Sequence, residues 1–471
     1  MNKDFFRDEQ DDIRDLLRRY ENLKTGRAQG ILYEDAFERI IDYYDEQDDF
    51  EKAMEAVDVG LEQYPCSSTL IIKKADLLIA GRQYKEALEY LDRASLFDYH
   101  DIDLYILRTD AYLALDQQEK AVELLQEAIE LFDGEERINL LFELSDVYDD
   151  YEEFDKIFDC LKLILEYDPN NEEALYKICF WTDFTGRYEQ SIRIHQTIID
   201  EYPYNELAWF NLAAAFQGLK LYEKSIDAYK YAIVINEKFD YAYRNMADAF
   251  IRIRKYKDAI EALEKVVELA RPEDVIYEAI GHCYDKIANY AQARFYYRKA
   301  SHLNQDDAKL YYKVALTYMN ESQWKKAVKY LETALRISPG NREFNLAVGD
   351  CYKNLEDIDL AIEYYTKVVN AKPKSISGWE SFIRCLYEVG YIEEAFKKIE
   401  LAEQLAGKKA IFRYYKAAVL FTLGMNKEAL IQLQIALNES PGMVKKFISL
   451  APTHLQHPGV SELLAQSKRK K

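Results

Sequence analysis

Glycine and proline are scarce in this chain, with 16 and 9 occurrences among 471 residues. Loop-rich and β-rich folds need both residues at their turns, so the shortage argues against these folds. Long apolar runs are also missing, and no stretch of about 18 apolar residues is available to span a bilayer. The opening residues, MNKDFFRDEQDD, contain no apolar run of signal-peptide length. We therefore expect no membrane association and no export.

Cysteine and histidine, with six of each, are too dispersed to predict a disulfide framework or a metal site. Phosphate-binding loops, zinc-protease motifs and serine-hydrolase motifs are absent from the sequence. The 84 acidic residues are too many for any pair of them to indicate acid–base catalysis. We predict that the protein is not an enzyme, has no catalytic, cofactor-binding or metal-binding residue, and works in the reducing cytoplasm.

Positive charge is in short supply at one end of the chain. Residues 1–200 carry 22 positive and 50 negative side chains, whereas residues 201–471 carry 40 and 34. The formal net charge of −22 is therefore concentrated in the N-terminal part. An acidic surface repels nucleic acid and anionic lipid and attracts basic partners. A second interpretation stays open, in which the acidity only keeps the protein soluble.

Internal repetition is what the chain has in quantity, with a period of 34 residues. The segments that begin at residues 206, 240 and 274 share one order of aromatic, small and apolar positions. Twelve units can be aligned, and the third carries two extra residues in a predicted turn at Asp133–Arg137. The units start at residues 34, 68, 102, 138, 172, 206, 240, 274, 308, 342, 376 and 410.

Two apolar stripes with helical spacing predict that each unit folds into a pair of helices, A and B. Positions 4, 8 and 11 share one face of helix A, and positions 20, 24 and 27 share one face of helix B. Position 20 is alanine in nine units and position 11 is aromatic in eight, so small residues permit a close approach that large residues surround. Gly186, Gly390 and Gly424, at position 15, predict the turn between the helices. Proline at position 32 ends helix B in six units.

Several histidines and cysteines fall at packing positions of this repeat. His195 occupies position 24, which predicts a buried structural histidine. Cys283, Cys351 and Cys385 all occupy position 10, and a thiol that recurs at one structural position is typical of a small packing residue rather than a nucleophile.

This pattern resembles the tetratricopeptide repeat family, which has an aromatic residue near position 4, a small residue at 8, tyrosine at 11, alanine at 20 and 27, and proline at 32. In the unit that starts at residue 206, Trp209, Ala213, Phe216, Tyr229 and Ala232 match it. The resemblance covers residues 34–443 and implies an all-α fold, a right-handed α-solenoid of helix-turn-helix repeats.

Three segments are predicted along the chain. Residues 1–33 contain an amphipathic helix at 4–24, which would cap the first hairpin, and residues 34–443 form the twelve repeats. Residues 444–471 contain a short helix near Val444–Leu450, a proline-containing link, a second short helix and a basic KRKK tail.

The resemblance implies that the A helices line a concave groove, to which positions 2, 5, 9 and 12 contribute. Position 9 is aspartate in the first four units, and aromatic residues follow in the next two. The predicted groove residues are Asp42, Asp45, Asp76, Asp110, Asp146 and Asp149, then Tyr176, Phe180, Phe184 and Phe210, then Arg244, Arg252, His282, Tyr312, Met319, Lys353, Arg384, Tyr387, Tyr414 and Phe421. In an alternative that stays open, position 9 favours aspartate for solvation and for hydrogen bonds between helices.

The combined observations predict a non-catalytic scaffold or adaptor that holds a protein or peptide segment in the groove. Basic residues of the partner would meet the aspartates, and apolar residues would meet the aromatic side chains. Chaperone-binding members of the family hold a carboxylate with Lys and Asn, where this chain has Glu38 and Asp42, so a carboxylate would be repelled. The alternative function is an RNA- or ribosome-associated factor that uses the C-terminal half and the KRKK tail.

Overall fold

In a computed structural model of the chain, which describes residues 3–25, 31–271 and 273–469, α-helices alternate with short turns. These residues contain no strand, and none of their helices is both long enough and apolar enough to cross a membrane. The predicted class, an all-α solenoid of helical hairpins, is confirmed. Lys470 and Lys471 of the predicted basic tail lie outside the described residues.

The chain divides into two compact units, of which the first is Met1–Glu237. In this unit each helix packs on the next along the chain. The A-helix pairs α2–α4, α4–α6, α6–α8 and α10–α12 touch as well. Its helices are α1 (Lys3–Lys24), α2 (Glu34–Glu46), α3 (Phe50–Gln63), α4 (Ser68–Ala80), α5 (Tyr84–Ala94), α6 (Ile102–Ala114), α7 (Gln118–Leu131), α8 (Gly134–Asp150), α9 (Phe154–Tyr167), α10 (Glu172–Thr185), α11 (Tyr188–Glu201), α12 (Glu206–Gly218) and α13 (Tyr222–Ile235).

The second compact unit is Lys238–Lys471. Two 3-10 turns, Pro441–Met443 and Pro452–Gln456, flank its helix α26. Its helices are α14 (Asp240–Arg252), α15 (Tyr256–Leu269), α16 (Asp274–Lys286), α17 (Tyr290–Leu303), α18 (Ala308–Asn320), α19 (Trp324–Ile337), α20 (Arg342–Asn354), α21 (Ile358–Ala371), α22 (Ile376–Val389), α23 (Ile392–Ala406), α24 (Ala410–Thr422), α25 (Asn426–Glu439), α26 (Val444–Leu450) and α27 (Pro458–Arg469).

Eleven of the twelve A helices begin at the first residue of a predicted repeat unit. The exception is α8, which begins at Gly134, so the predicted turn at Asp133–Arg137 is wrong and its last four residues are helical. Glu135 and Glu136 favour a helix start there, because carboxylates stabilise the positive end of a helix. The division of the chain into residues 1–33, 34–443 and 444–471 stays a prediction.

Helix α1 packs on the first hairpin through its last turns. Tyr20 is buried, and its ring lies edge-on to that of Phe37, with 6.3 Å between the centroids. Lys24, at the C-terminal end of α1, forms an ion pair with Glu55 of α3. Helix α1 therefore covers apolar side chains that the first hairpin would otherwise expose.

Positions 8 and 24 face each other inside a hairpin, and two hairpins combine glycine with tyrosine there. A Cβ atom on Gly281 would lie 2.7 Å from Cδ1 of Tyr297, and one on Gly349 would lie 2.9 Å from Cε1 of Tyr365. Other hairpins combine alanine at position 8 with leucine at position 24, and both residues are buried there too. The glycines therefore make room for the tyrosine rings.

Position 15 of every repeat adopts a left-handed backbone conformation. Three units have glycine there, as the sequence predicts, with φ of +71° at Gly186, +90° at Gly390 and +78° at Gly424. The other nine units place a residue with a side chain at φ between 55° and 63°. Non-glycine residues are strained in this region because Cβ approaches the neighbouring carbonyl oxygen. The A-to-B turn is therefore set by the two helices that it joins, and glycine only lowers its strain.

We expect Gly186→Ala to lower the free energy of unfolding by about 1 kcal/mol, although no atom lies within 4 Å of the new Cβ. The loss would come from the backbone conformation alone. The reverse change, Ala288→Gly at φ +58°, should stabilise by only ~0.5 kcal/mol, because glycine loses more entropy on folding. Denaturant unfolding of both variants measures the two changes in unfolding free energy. If both variants were stabilised, or both destabilised, the prediction would be contradicted.

Candidate partner-binding surface

Four aspartates at position 9 lie on successive A helices of the first unit and form what we call the acidic column. Its members are Asp42 on α2, Asp76 on α4, Asp110 on α6 and Asp146 on α8. All four side chains are exposed to solvent, as are the predicted neighbours Asp45 and Asp149. Carboxylates on neighbouring A helices are close enough to repel each other. The charge of Asp45 raises the pKa of Asp76, and the charge of Asp76 raises the pKa of Asp110. The structure thus brings together the acidic residues that the sequence predicts for the groove.

A lysine lies beside each end of the acidic column, and none lies within ion-pair distance of its two middle members among the described residues. Lys73 forms an ion pair with Asp42. Nζ of Lys177 lies 3.8 Å from Oδ1 of Asp146 and 2.8 Å from Oε1 of Glu173, so these two carboxylates share one cation. Among the residues that the structure describes, neither Asp76 nor Asp110 has an ion-pair partner or a side-chain hydrogen bond. The open charge of the column is therefore concentrated on α4 and α6.

The pKa values of the carboxyl groups in the middle of the column are raised. The pKa of Asp76 is raised, first by partial desolvation and then by the charge of Asp45. The pKa of Asp110 is raised by desolvation and by Asp76, and that of Glu143 by desolvation and by Asp110 and Asp146. Since each pKa is higher in the folded chain, ionisation of these groups at neutral pH destabilises the fold, and the penalty is relieved as pH falls through the folded-state pKa.

We expect the double change Asp76→Asn and Asp110→Asn to stabilise the first unit by ~0.5 kcal/mol, a small value because both side chains are largely solvated. Denaturant unfolding measures the effect. Asp42→Asn is the matched control, and it should not stabilise because it breaks the ion pair with Lys73. If position 9 favours aspartate for hydrogen bonds between helices, the double change should destabilise instead.

Helix α10 continues the column with an exposed aromatic surface formed by Tyr176, Phe180 and Phe184. These residues are spaced by four, and their exposed fractions are 62%, 61% and 57%. The opposite face of α10 is buried in the hairpin core through Leu175 and Ile178. The helical period therefore leaves the three aromatic side chains on the solvent side.

Two partly buried rings support the aromatic surface from behind. Phe154, the first residue of α9, stacks on Trp181 with 5.5 Å between the ring centroids and meets Phe184 edge-on at 4.7 Å. Phe180 contacts Trp181 at 5.0 Å and Phe184 at 6.0 Å. The contacts restrict the rings of Phe180 and Phe184, so these two side chains have less entropy to lose on binding.

Phe210, which the sequence also predicts for the groove, is only partly available. Its side chain is half-buried and its ring lies 5.6 Å from that of Tyr229, a fully buried residue of α13. Phe210 therefore contributes to hairpin packing as well as to the surface.

The basic groove residues predicted for the second unit have acidic neighbours. Each cation has a carboxylate beside it, and Lys353 and Arg384 share that of Glu388. The pairs are Arg244 with Glu273 (2.9 Å), Arg252 with Asp248 (3.3 Å), Arg384 with Glu388 (3.1 Å) and Lys353 with Glu388 (2.8 Å). The predicted residues do not form a basic surface in this unit.

The predicted exposure of two aromatic groove residues in the last repeat is wrong, because Tyr414 and Phe421 are buried. Helix α26 packs against α22 and α24 and places Phe447 6.1 Å from the ring of Phe421. Tyr414 donates its hydroxyl hydrogen to the carbonyl oxygen of Ser440 at 2.9 Å. The last A helix thus turns its groove side to the C-terminal segment, which a repeat pattern does not reveal.

The remaining predicted residues of the second unit are half-buried. The ring centroid of Tyr312 lies 4.9 Å from that of Phe344, a core residue of the next hairpin, and His282 and Met319 are partly covered. Tyr387 contacts Thr422 through their hydroxyl groups at 2.8 Å. The exposed and uncompensated part of the predicted site therefore lies in the first unit.

Two family models match the chain in sequence. That of the Tetratricopeptide repeat protein 21 C-terminal ARM domain matches residues 186–345, and a tetratricopeptide repeat model matches residues 343–375. The tandem hairpins therefore resemble tetratricopeptide repeats, and one of them matches the repeat model directly. No curated protein sequence matches it.

Three solved structures that are similar to this chain cover different shares of its length. YrrB, described as a TPR protein with an unusual peptide-binding site, is 18% identical over 39% of this chain and 95% of its own, with a TM-score of 0.35. The APC/C hetero-tetramer Cut9–Hcn1 is 12% identical over 83% and 97%, with a TM-score of 0.34. The C-terminal part of a TPR repeat-containing protein from Cytophaga hutchinsonii is 16% identical over 54% and 99%, with a TM-score of 0.43.

Charge pairing between repeats depends on position 6 of the following repeat, which the predicted groove positions 2, 5, 9 and 12 do not include. Lys73 and Lys177 both occupy position 6 of the repeat that follows their aspartate. Position 6 is Leu107 after Asp76, and Glu143 after Asp110. The signal that separates compensated from open carboxylates is therefore the residue type at position 6 of the next unit.

Proposed function

We propose that the protein is a non-catalytic scaffold that holds a segment of a partner protein on the A-helix side of its first unit. Apolar side chains of the partner lie on the aromatic surface of α10, and basic side chains lie towards the acidic column. A tetratricopeptide-repeat array is consistent with a protein-interaction scaffold, and the dispersed, unpaired cysteines support a cytoplasmic setting.

The observation that carries the proposal is the aromatic surface of Tyr176, Phe180 and Phe184. Each side chain is more than half exposed, whereas the opposite face of α10 is buried. Contiguous exposed apolar patches on a folded protein mark interaction sites, and aromatic residues dominate the affinity of such sites. The neighbouring carboxylates would steer a cationic partner towards the surface.

The alternative of RNA or ribosome association gains no support from the second unit. Its predicted basic residues Arg244, Arg252 and Arg384 each contact a carboxylate. A phosphate backbone needs uncompensated cations, since release of counterions drives the binding.

A selection experiment tests the proposal. Random peptides displayed on phage are selected on the full chain and then counter-screened on the variant Phe180→Ser with Phe184→Ser. We expect enriched peptides that combine apolar with basic residues and that the variant does not retain. Phe295→Ser, which removes a similarly exposed aromatic residue of helix α17, is the matched control and should retain them.

Two outcomes of this experiment would contradict the proposal. Enriched peptides that bind the Phe180→Ser, Phe184→Ser variant as well as the native chain would place the binding surface elsewhere. Enrichment of acidic peptides would exclude the acidic column from the site.

A further inference from the structure

The acidic column contains two open carboxylates rather than four. Asp42 and Asp146, at its ends, have Lys73 and Lys177 beside them, whereas the middle members Asp76 and Asp110 have no cation within ion-pair distance among the described residues. Glu143 stands where a lysine would neutralise Asp110. Within the acidic column there are therefore two places for a foreign cation, one on α4 and one on α6.

The two places and the aromatic surface occur in a fixed order. Along the A helices the order is Asp76 on α4, Asp110 on α6, Asp146 on α8 with its neighbour Lys177, and Phe180 on α10. The three aspartates and Phe180 all occupy position 9 of their repeats. Packed helices lie about 10 Å apart, so the two open carboxylates are separated by one such step and Asp110 is separated from Phe180 by two.

From this arrangement we infer that the partner segment carries one apolar anchor followed by two cationic side chains, of which the nearer pairs with Asp110 and the farther with Asp76. The inference rests on the proposed function of the same surface. The separations are about 20 Å from the anchor to the first cation and about 10 Å between the cations. In an extended chain, which rises about 3.3 Å per residue, they correspond to about six and about three residues.

The charges around the two carboxylates select a cation over other side chains. Asp45, Asp103 and Asp42 act on Asp76 together with the single cation Lys73, and Lys73 is already paired with Asp42. Around Asp110 the acting charge is that of Asp76. A neutral partner would leave this repulsion in place and an acidic partner would add to it, whereas a lysine or arginine ammonium or guanidinium removes it.

Synthetic peptides with a fluorescent label test the inference on the full chain. The matched peptide carries a tryptophan anchor, with lysines about six and about nine residues away in an otherwise neutral extended sequence, and is made in both chain directions. A clustered peptide of identical composition places both lysines beside the tryptophan. Fluorescence anisotropy at low and at physiological salt gives the dissociation constants.

We expect the better-binding direction of the matched peptide to bind about tenfold more tightly than the clustered peptide. Asp110→Asn and Asp76→Asn should each weaken it about fivefold, and each loss should disappear when the corresponding lysine is replaced by glutamine. Glu189→Gln, a change of an exposed carboxylate on helix α11, is the control and should have no effect.

Two results would overturn the inference. Equal affinities of the matched and clustered peptides, with Phe180→Ser still weakening both, would refute the spacing and leave the proposed function standing. Failure of both peptides to bind the native chain more tightly than the Phe180→Ser variant would also refute the inference, while the peptide selection would then decide the proposed function separately.

Discussion

Gly281→Ala is expected to lower the free energy of unfolding of the second unit by about 2 kcal/mol. The new Cβ would lie 2.7 Å from Cδ1 and 2.8 Å from Cε1 of Tyr297. Tyr297 is 3% exposed and belongs to the hairpin core, so its ring has no open space to enter. The backbone of α16 must move away from α17 instead, and this loosens the contacts of both helices.

A second change should rescue this variant. Neighbouring hairpins pair alanine at position 8 with leucine at position 24, as in Ala247 with Leu263 and Ala315 with Leu331, and all four residues are buried. The double change Gly281→Ala and Tyr297→Leu reproduces that combination and should recover most of the loss. Denaturant unfolding of the two single variants and the double variant measures the coupling. Strictly additive effects would show that positions 8 and 24 do not share one space.

Acidification is expected to destabilise the first unit through His195 by about 3 kcal/mol between pH 6.5 and pH 4. His195 is fully buried, and burial lowers its pKa from 6.5 to about 4. The unfolded chain binds a proton as the pH falls below 6.5, whereas the folded chain does so only near pH 4. The stability associated with neutral His195 is therefore present above pH 6.5 and is lost across this range.

The hydrogen bonds of His195 explain why it stays neutral. Nδ1 lies 2.7 Å from the carbonyl oxygen of Ser191 and must donate to it, which leaves Nε2 to accept from Nδ2 of Asn211 at 3.2 Å. Nδ2 of Asn211 also donates to the carbonyl oxygen of Leu175 at 2.7 Å. A proton on Nε2 would face the Asn211 amide donor, so the imidazolium has no acceptor on that side.

His195→Leu supplies the matched comparison, because leucine is the residue at position 24 in several other repeats. The unfolding free energies of the native chain and the variant are measured from pH 7.5 to pH 4, and their difference isolates His195. The carboxylates of the acidic column, whose pKa values are raised, act in the opposite direction on acidification but contribute equally to both proteins. Parallel pH profiles would refute the assignment.

The repeat period made the helices and most of their ends predictable. A periodic pattern fixes which residues face the core, so the starts of α10 at Glu172 and α22 at Ile376 follow directly from the sequence. The helix α26 at Val444–Leu450 was predicted as well, but its position against α22 and α24 was not. That contact joins residues far apart in sequence through the ion pair of Lys446 with Glu380, and no repeat encodes it.

The positions of the candidate site residues were predictable from the sequence, but which of the aspartates have an ion-pair partner was not. Position 9 alone places Asp42, Asp76, Asp110 and Asp146 in one column, and Phe180 after them. Which aspartates remain open depends on residues of the following repeat, and the aromatic surface depends on Phe154 and Trp181 behind it. These are contacts between repeats, whereas the pattern read from the sequence describes each repeat by itself.

Hydrogen–deuterium exchange of the full chain, with and without a saturating peptide from the selection, tests the partner-binding surface most directly. Binding should slow amide exchange in α4, α6 and α10, which carry the open carboxylates and the aromatic surface, and in α8 between them, and should leave α14–α25 unchanged. Protection confined to the B helices, or to the second unit, would contradict the assignment of the site.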